Sequence, residues 1–229
     1  MWALIVILLI GGFLIAGIVI AFSRLFRSRS NDSSWPNEET SAQKEKERLG
    51  TLGEAKVAGC LQGIVNAHSG YLYGPCAFKD EQGRSSEIDH ILICKAGVFV
   101  IETKYIVAVI KGEEDDKRWI KRKRNGVEET FDNPIKQNQA HIRYLKRLWG
   151  SGAPWMESVV VFANGNITLV SDLVYDLGSV KAFIESKFQE PRYSQEEVER
   201  INEGFIQLLA RYQISHEEHV RICNGKKGL

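Results

Sequence analysis

Residues 87–94 read Glu-Ile-Asp-His-Ile-Leu-Ile-Cys, and after Lys95-Ala96-Gly97 the chain continues as Val98-Phe-Val-Ile-Glu102-Thr103-Lys104. Two apolar runs around a tight turn predict a β-hairpin, and the charges within it need a reason. A buried carboxylate is costly unless it is paired or binds a metal. Strand side chains alternate with period two, so Glu102 and Lys104 share a face. With Ala96-Gly97 as a two-residue turn, residue 95 pairs with 98 and Asp89 falls opposite Lys104 on that same face. A slip of one residue would separate the acids. A Lys95-Ala96 turn with Gly97 left-handed in a bulge is another route to convergence. His90 points the other way and reads as a satisfied core histidine rather than a base.

Two carboxylates beside a lysine suit a hard divalent cation, Mg2+ or Mn2+, whose preferred ligands are oxygens. The ammonium would stabilise charge developing on a phosphodiester or hold the attacking water. The competing reading is a cross-strand Asp89–Lys104 ion pair, with Glu102 at a strand end facing water.

Three further motifs stand in order with this hairpin: Gly53-Glu54-Ala-Lys-Val57 before it, Ile101-Glu-Thr-Lys104 within it, and Asn133-Pro134-Ile-Lys-Gln137 after it. Together with Glu87-Ile-Asp-His90, they resemble the PD-(D/E)xK nuclease superfamily and, more closely, its nuclease-related domain family, abbreviated NERD. The resemblance runs from about Gly53 to Leu148. It implies a restriction-endonuclease-like α/β fold, a mixed central sheet flanked by helices, and hydrolysis of DNA, with RNA not excluded. It further implies that Asp89 and Glu102 are metal ligands with the Thr103 carbonyl a third, that Lys104 positions or activates the water, and that Glu54 completes or orients the metal site. Gln137 would touch phosphate or the lysine. One departure is Ala108, which stands where the family often has a glycine, in the run Tyr105-Ile-Val-Ala108.

Structural explanations exist for two of these residues. Glu54 lies early in a helix expected to begin near Leu52, where a carboxylate favours the positive end of the dipole. Asn133-Pro134 reads as an N-cap with proline at the first helical position, which puts Gln137 in the first turn.

Residues 1–22 are uncharged and largely aliphatic, long enough for a transmembrane helix, and Arg24, Arg27 and Arg29 follow them. The absence of a preceding positive charge favours an uncleaved anchor over an export signal. The positive-inside rule then places the N-terminus outside and the rest in the cytoplasm. All 30 Lys and Arg and 29 Asp and Glu lie beyond this span, leaving a net charge of +1 that says nothing for or against nucleic acid. Cysteines at 60, 76, 94 and 223 lack Cys-x-x-Cys spacing and read as free thiols in a reducing compartment.

Residues 23–48 are polar and form a linker, helical near its end. Residues 49–165 are expected to form the nuclease-like domain and 166–229 an α/β extension packed on it. Leu52, Val57 and Leu61 mark the core face of a helix over 52–66. Lys117, Arg118, Lys121, Arg122, Lys123 and Arg124 form a basic ribbon closed by an Asn125-Gly126 turn, the best candidate for phosphate contacts, with Trp119 available to stack or pack. Glu113 to Asp116 and Glu128-Glu129 flank it, so a self-neutralising hairpin is an equal expectation. A buried strand is expected at Ser158–Ala163, a short strand and helix near Leu173–Phe188, and an amphipathic helix from Ser194 to about Tyr212. His216-Glu-Glu-His219 lacks the spacing of a zinc-binding His-Glu-x-x-His, and Asn166-Ile-Thr168 matches a glycosylation acceptor that the topology places in the cytoplasm. The reading is a membrane-anchored, metal-dependent nuclease. The alternative is a membrane-tethered module of the same fold that binds nucleic acid or protein without cleaving.

Overall fold

The computed structural model describes residues 38–164 and 171–225. Residues 1–22 lie outside them, as does Asn166-Ile-Thr168, and no described helix is long and apolar enough to cross a membrane. The described residues from Gln43 onward form one compact unit.

The architecture is mixed α/β. Its centre is a five-stranded sheet in the order β1 (Tyr71–Tyr73), β4 (His90–Cys94), β5 (Gly97–Lys104), β9 (Met156–Phe162) and β10 (Val174–Asp176). β1, β4 and β5 are antiparallel neighbours, whereas β9 runs parallel to both β5 and β10. The continuous apolar runs of β4, β5 and β9 follow from burial on both faces. On one face Ile91, Ile93, Val98 and Val100 pack with Ile142 and Leu145 of α2 (Pro134–Trp149) and Val198 and Phe205 of α4 (Gln195–Tyr212). On the other, Leu92, Phe99, Ile101 and Val161 pack with Val57, Leu61 and Ile64 of α1 (Glu38–His68) and Val180 and Ile184 of α3 (Leu177–Lys187).

Residues 171–225 therefore supply β10 to the sheet edge and one covering helix to each face. α4 starts where Ser194 and Glu197 close a reciprocal capping box. α5 (His216–Gly225) follows β11 (Gln213–Ile214), which extends a second sheet with β2 (Cys76–Lys79) and β3 (Ser85–Ile88).

Four local expectations change. α1 begins at Glu38, well before Leu52, because i,i+3 and i,i+4 pairs such as Glu45–Arg48 and Gln43–Glu47 support a solvated helix there. Leu52 is exposed, and Ile64 takes its place in the core. The hairpin pairs Cys94 with Gly97, so the two-residue turn is Lys95-Ala96, with no positive φ at Gly97 and no bulge. The Asn125-Gly126 turn is a three-residue loop: Lys123 N–H bonds Val127 O at 2.8 Å, Gly126 N–H bonds Lys123 O at 2.9 Å, and only Gly126 is left-handed, at φ 83°. A primed two-residue turn would need Asn125 left-handed as well.

The ribbon itself is a third sheet of β6 (Val109–Lys111), β7 (Arg118–Arg122) and β8 (Glu128–Asp132). All four cysteines are free.

Candidate active site

The hairpin register places the site. His90 pairs with Ile101, so the line continues to set Asp89 beside Glu102 rather than opposite Lys104. Moving the turn back by one residue shifts each partner by two, which preserves the side-chain parity. Glu102 and Lys104 share the face that meets α2, and Asp89 stands one position past the last ladder pair.

Asp89 lies just beyond the end of β4, where the ladder has run out, and its Oδ2 accepts the Thr103 N–H at 2.7 Å. Gly74 makes room for this bend: a Cβ there would stand 2.0 Å from the Asp89 carbonyl oxygen. Glu102 is 2% exposed. Its Oε1 accepts from Lys104 Nζ at 2.5 Å, and the same ammonium donates to Gln137 Oε1 at 3.1 Å. This corrects the reading of Glu102 as a strand-end residue facing water, and the lysine's ion pair is with Glu102 rather than Asp89.

Gln137 reaches the lysine because α2 is anchored twice. Asn133 is 1% exposed and caps the helix through Oδ1, which accepts from Ile135 N at 2.9 Å and Lys136 N at 3.4 Å. Fully buried Asn138 sets its Nδ2 within 2.7 Å of Val100 O, 2.9 Å of Ser158 Oγ and 3.2 Å of Val159 O, tying α2 to β5 and β9.

Electrostatics follow from this packing. Burial and then the Glu102 charge hold the Asp89 carboxyl well above its ordinary value. Burial also opposes ionisation of Glu102, but Lys104 and His141 outweigh it, so Glu102 is the stronger acid. Lys104 stays protonated because Glu102, Asp89 and Asp132 together overcome its own desolvation. Glu54 is partly buried on α1 and titrates high through burial, then Glu87, then Glu102. Gly53 lets this turn approach β5: an added Cβ would meet Tyr105 Cβ at 3.0 Å.

Among the described residues, no three His, Cys, Asp or Glu side chains gather as a metal-holding set. Glu54, on α1, acts on this pair through its charge. The remaining donors still suit a hard cation. They are two carboxylates and the Thr103 carbonyl, the acids repel each other, and Glu102 Oε2 is buried without a hydrogen bond. A cation of the magnesium type keeps several waters and needs only one or two protein carboxylates.

The basic ribbon does not present six bare charges. Arg118 pairs with Asp132 at 3.2 Å, Lys121 with Glu129 at 2.9 Å, Lys123 also with Glu129, and Arg122 lies 4.0 Å from Glu128. Lys117 and Arg124 are exposed. Trp119 packs rather than stacks on a ligand: it is 1% exposed, against Phe162 and Phe131. Ala108 has no positive φ, so this loop does not require the family glycine. His90 is buried as expected and held neutral, its pKa lowered to about 4 by burial, but its Nδ1 has no hydrogen bond.

Two residues near the acids were missed. His141 sits one turn after Gln137, its Nε2 3.3 Å from Glu102 Oε2, and Ser86 Oγ lies 2.7 Å from His141 Nδ1. The i,i+4 spacing from Gln137 is the signal that could have found His141. Ser86, on a strand of the other sheet, leaves no such trace.

Residues 49–163 match the sequence family described as nuclease-related domain, NERD. An uncharacterized protein of Bacillus anthracis is 36% identical over 102 residues, which cover 43% of this chain and 46% of that protein. The match thus spans less than half the length of that relative. No solved structure matches the chain.

Proposed function

The chain belongs to the nuclease-related domain family, and from that premise we propose that it is a metal-dependent nuclease hydrolysing phosphodiester bonds of DNA on a restriction-endonuclease-like fold. The observation that carries this reading is the convergence of Asp89, Glu102, Lys104 and Gln137 at the carboxyl end of β5.

In this reading Asp89, Glu102 and the Thr103 carbonyl hold Mg2+ or Mn2+, and Glu54 adds negative field from α1. The ion would supply Lewis acidity and a more acidic water. Lys104 carries a fixed proton at Nζ and presents positive charge where a phosphate oxyanion would develop. Gln137 restrains that ammonium through Oε1, and the Thr103 N–H fixes the Asp89 carboxylate. Lys117 and Arg124 are the ribbon cations best placed to meet phosphate, because Lys121, Arg122, Lys123 and Arg118 already face acids. The apolar 1–22 segment supports a membrane anchor with the domain in the cytoplasm.

A second reading is supported by the 2.5 Å Lys104–Glu102 contact: the cluster is a structural ion pair in a non-catalytic binding module. Plasmid and single-stranded DNA incubated with the full-length protein and Mg2+, Mn2+ or chelator separate the two. Metal-dependent cleavage lost in both Asp89→Ala and Lys104→Ala is expected for the nuclease. Salt-sensitive DNA binding without cleavage, together with no calorimetric metal binding, would establish the second reading.

A further inference from the structure

α2 carries two polar side chains toward the buried acid–lysine pair, and only one has a role so far. Gln137 reaches Lys104; His141, four residues on and therefore on the same helical face, reaches Glu102. The His141 side chain is 13% exposed. Its Nε2 and Glu102 Oε2 are both buried and without a well-aligned hydrogen bond, yet they face each other at 3.3 Å. Two complementary buried atoms left unbonded are costly, and a small rotation joins them. Catalytic hydrogen bonds are often long in unliganded sites and tighten on loading.

We propose that His141 is a positioning residue for Glu102, donating its Nε2–H to Oε2 while Ser86 donates its hydroxyl to Nδ1. The inference rests on reading the cluster as a divalent-cation phosphodiesterase site.

The Glu102 carboxylate, which can only accept, calls for the proton on Nε2, and the Ser86 hydroxyl then donates to Nδ1. A hydroxyl can donate or accept, but a neutral imidazole that accepts at Nδ1 must carry its proton at Nε2, the nitrogen facing Glu102. With Lys104 on Oε1 and His141 on Oε2, both carboxylate oxygens are held and the plane of the ligand is set. Without His141, Glu102 is restrained on one oxygen only, and its terminal torsion is broad. The trio does not serve Ser86 as a nucleophile. In a hydrolytic triad the hydroxyl sits on Nε2 and the acid on Nδ1, whereas here the order is reversed and a lysine holds the acid's other oxygen. Ser86 belongs to β3, so the second sheet, through one hydroxyl, helps orient a ligand of the first.

The test combines nitrogen-15 histidine spectra of the full-length protein, recorded above neutral pH, with calorimetric titration of MnCl2 alone and DNA cleavage kinetics. The wild type is expected to show His141 as the Nε2–H tautomer, and Ser86→Ala to keep that tautomer, held by Glu102, with the Nδ1 resonance shifted by loss of its donor. His141→Leu is expected to weaken Mn2+ binding about 10–100-fold and to lower kcat with little change in KM for DNA. His141→Gln, whose side-chain amide can donate from nearly the same place, is expected to recover most of the loss. Thermal unfolding checks that each variant is folded. An Nδ1–H tautomer in the wild type would overturn the proposal, as would Mn2+ affinity unchanged in a folded His141→Leu protein, or a glutamine no better than leucine. A wild type that binds no Mn2+ while showing the Nε2–H tautomer refutes the cleavage reading alone and supports the His141–Glu102 bond.

Discussion

Asn133 joins the ribbon loop to the helix that carries Gln137, and its two ends do different work. Oδ1 caps α2, while Nδ2 lies 3.2, 2.9 and 2.8 Å from the carbonyl oxygens of Glu113, Glu114 and Asp116. Asn133→Ala removes both functions. The cap is worth about 1 kcal/mol. The amide protons, once lost, strand carbonyls at a site that is 1% exposed, which adds about 2–3 kcal/mol. The total is about 3–4 kcal/mol, a fall of about 6–16 °C in Tm for a chain of this size. Asn133→Ser keeps a capping oxygen and is expected to recover about 1 kcal/mol. Asn133→Asp keeps the cap as well but turns a carboxylate toward three carbonyl oxygens, so it is expected to be at least as damaging as alanine. Urea unfolding followed by tryptophan fluorescence measures the series, since Trp119 donates its Nε1–H to the same Glu113 oxygen at 2.8 Å. Stability of Asn133→Asp equal to wild type would refute the reasoning, because it would leave the cap as the whole contribution.

Other perturbations test separate parts of the molecule. Asp80 accepts the Gln82 and Arg84 N–H groups at 3.0 and 2.9 Å and Arg84 Nε at 2.8 Å; burial pushes its carboxyl up, but these donors outweigh it and the net shift is downward. A lowered folded value stabilises in full above the unfolded value and fades as pH falls through the folded one. Asp80→Asn should therefore cost about 1 kcal/mol at neutral pH, with the gap to wild type closing in strong acid, as read by urea unfolding across pH; a pH-independent gap would contradict it. Gly112→Ala places a Cβ 2.2 Å from Trp119 Cδ1 and 2.4 Å from Cγ, and buried Trp119 cannot yield, so a loss of about 2–3 kcal/mol is expected in a melting curve. Lys104→Met leaves Glu102 charged, buried and short of its main partner, costing about 3 kcal/mol, and adding Glu102→Gln should return much of that; a double variant no more stable than the single would argue against the pair.

What the sequence by itself determined is local or periodic. The alternation of Glu102, Thr103 and Lys104 puts both charges on one face of any strand, and Asn133-Pro134 starts a helix whatever surrounds it. The apolar runs of β4, β5 and β9 announce a sheet covered on both sides, and the ordered motifs announce the family. The register of the hairpin was less legible. The Lys95-Ala96 and Ala96-Gly97 turns share the same parity, so the sequence could bring Asp89 to the Glu102–Lys104 end of β5 without saying whether it lay beside Glu102 or Lys104. The ribbon's charges were visible, but their neutralisation depended on which acid each faced across β7 and β8. Only tertiary structure could bring Ser86, His141 and Glu102 together. Ser86 is separated from His141 by 55 positions, and the contact exists because α2 crosses the sheet with Gln137 and His141 turned inward while β3 of the second sheet closes beside it. Contacts of that kind are fixed by packing between elements, which no period within one element encodes.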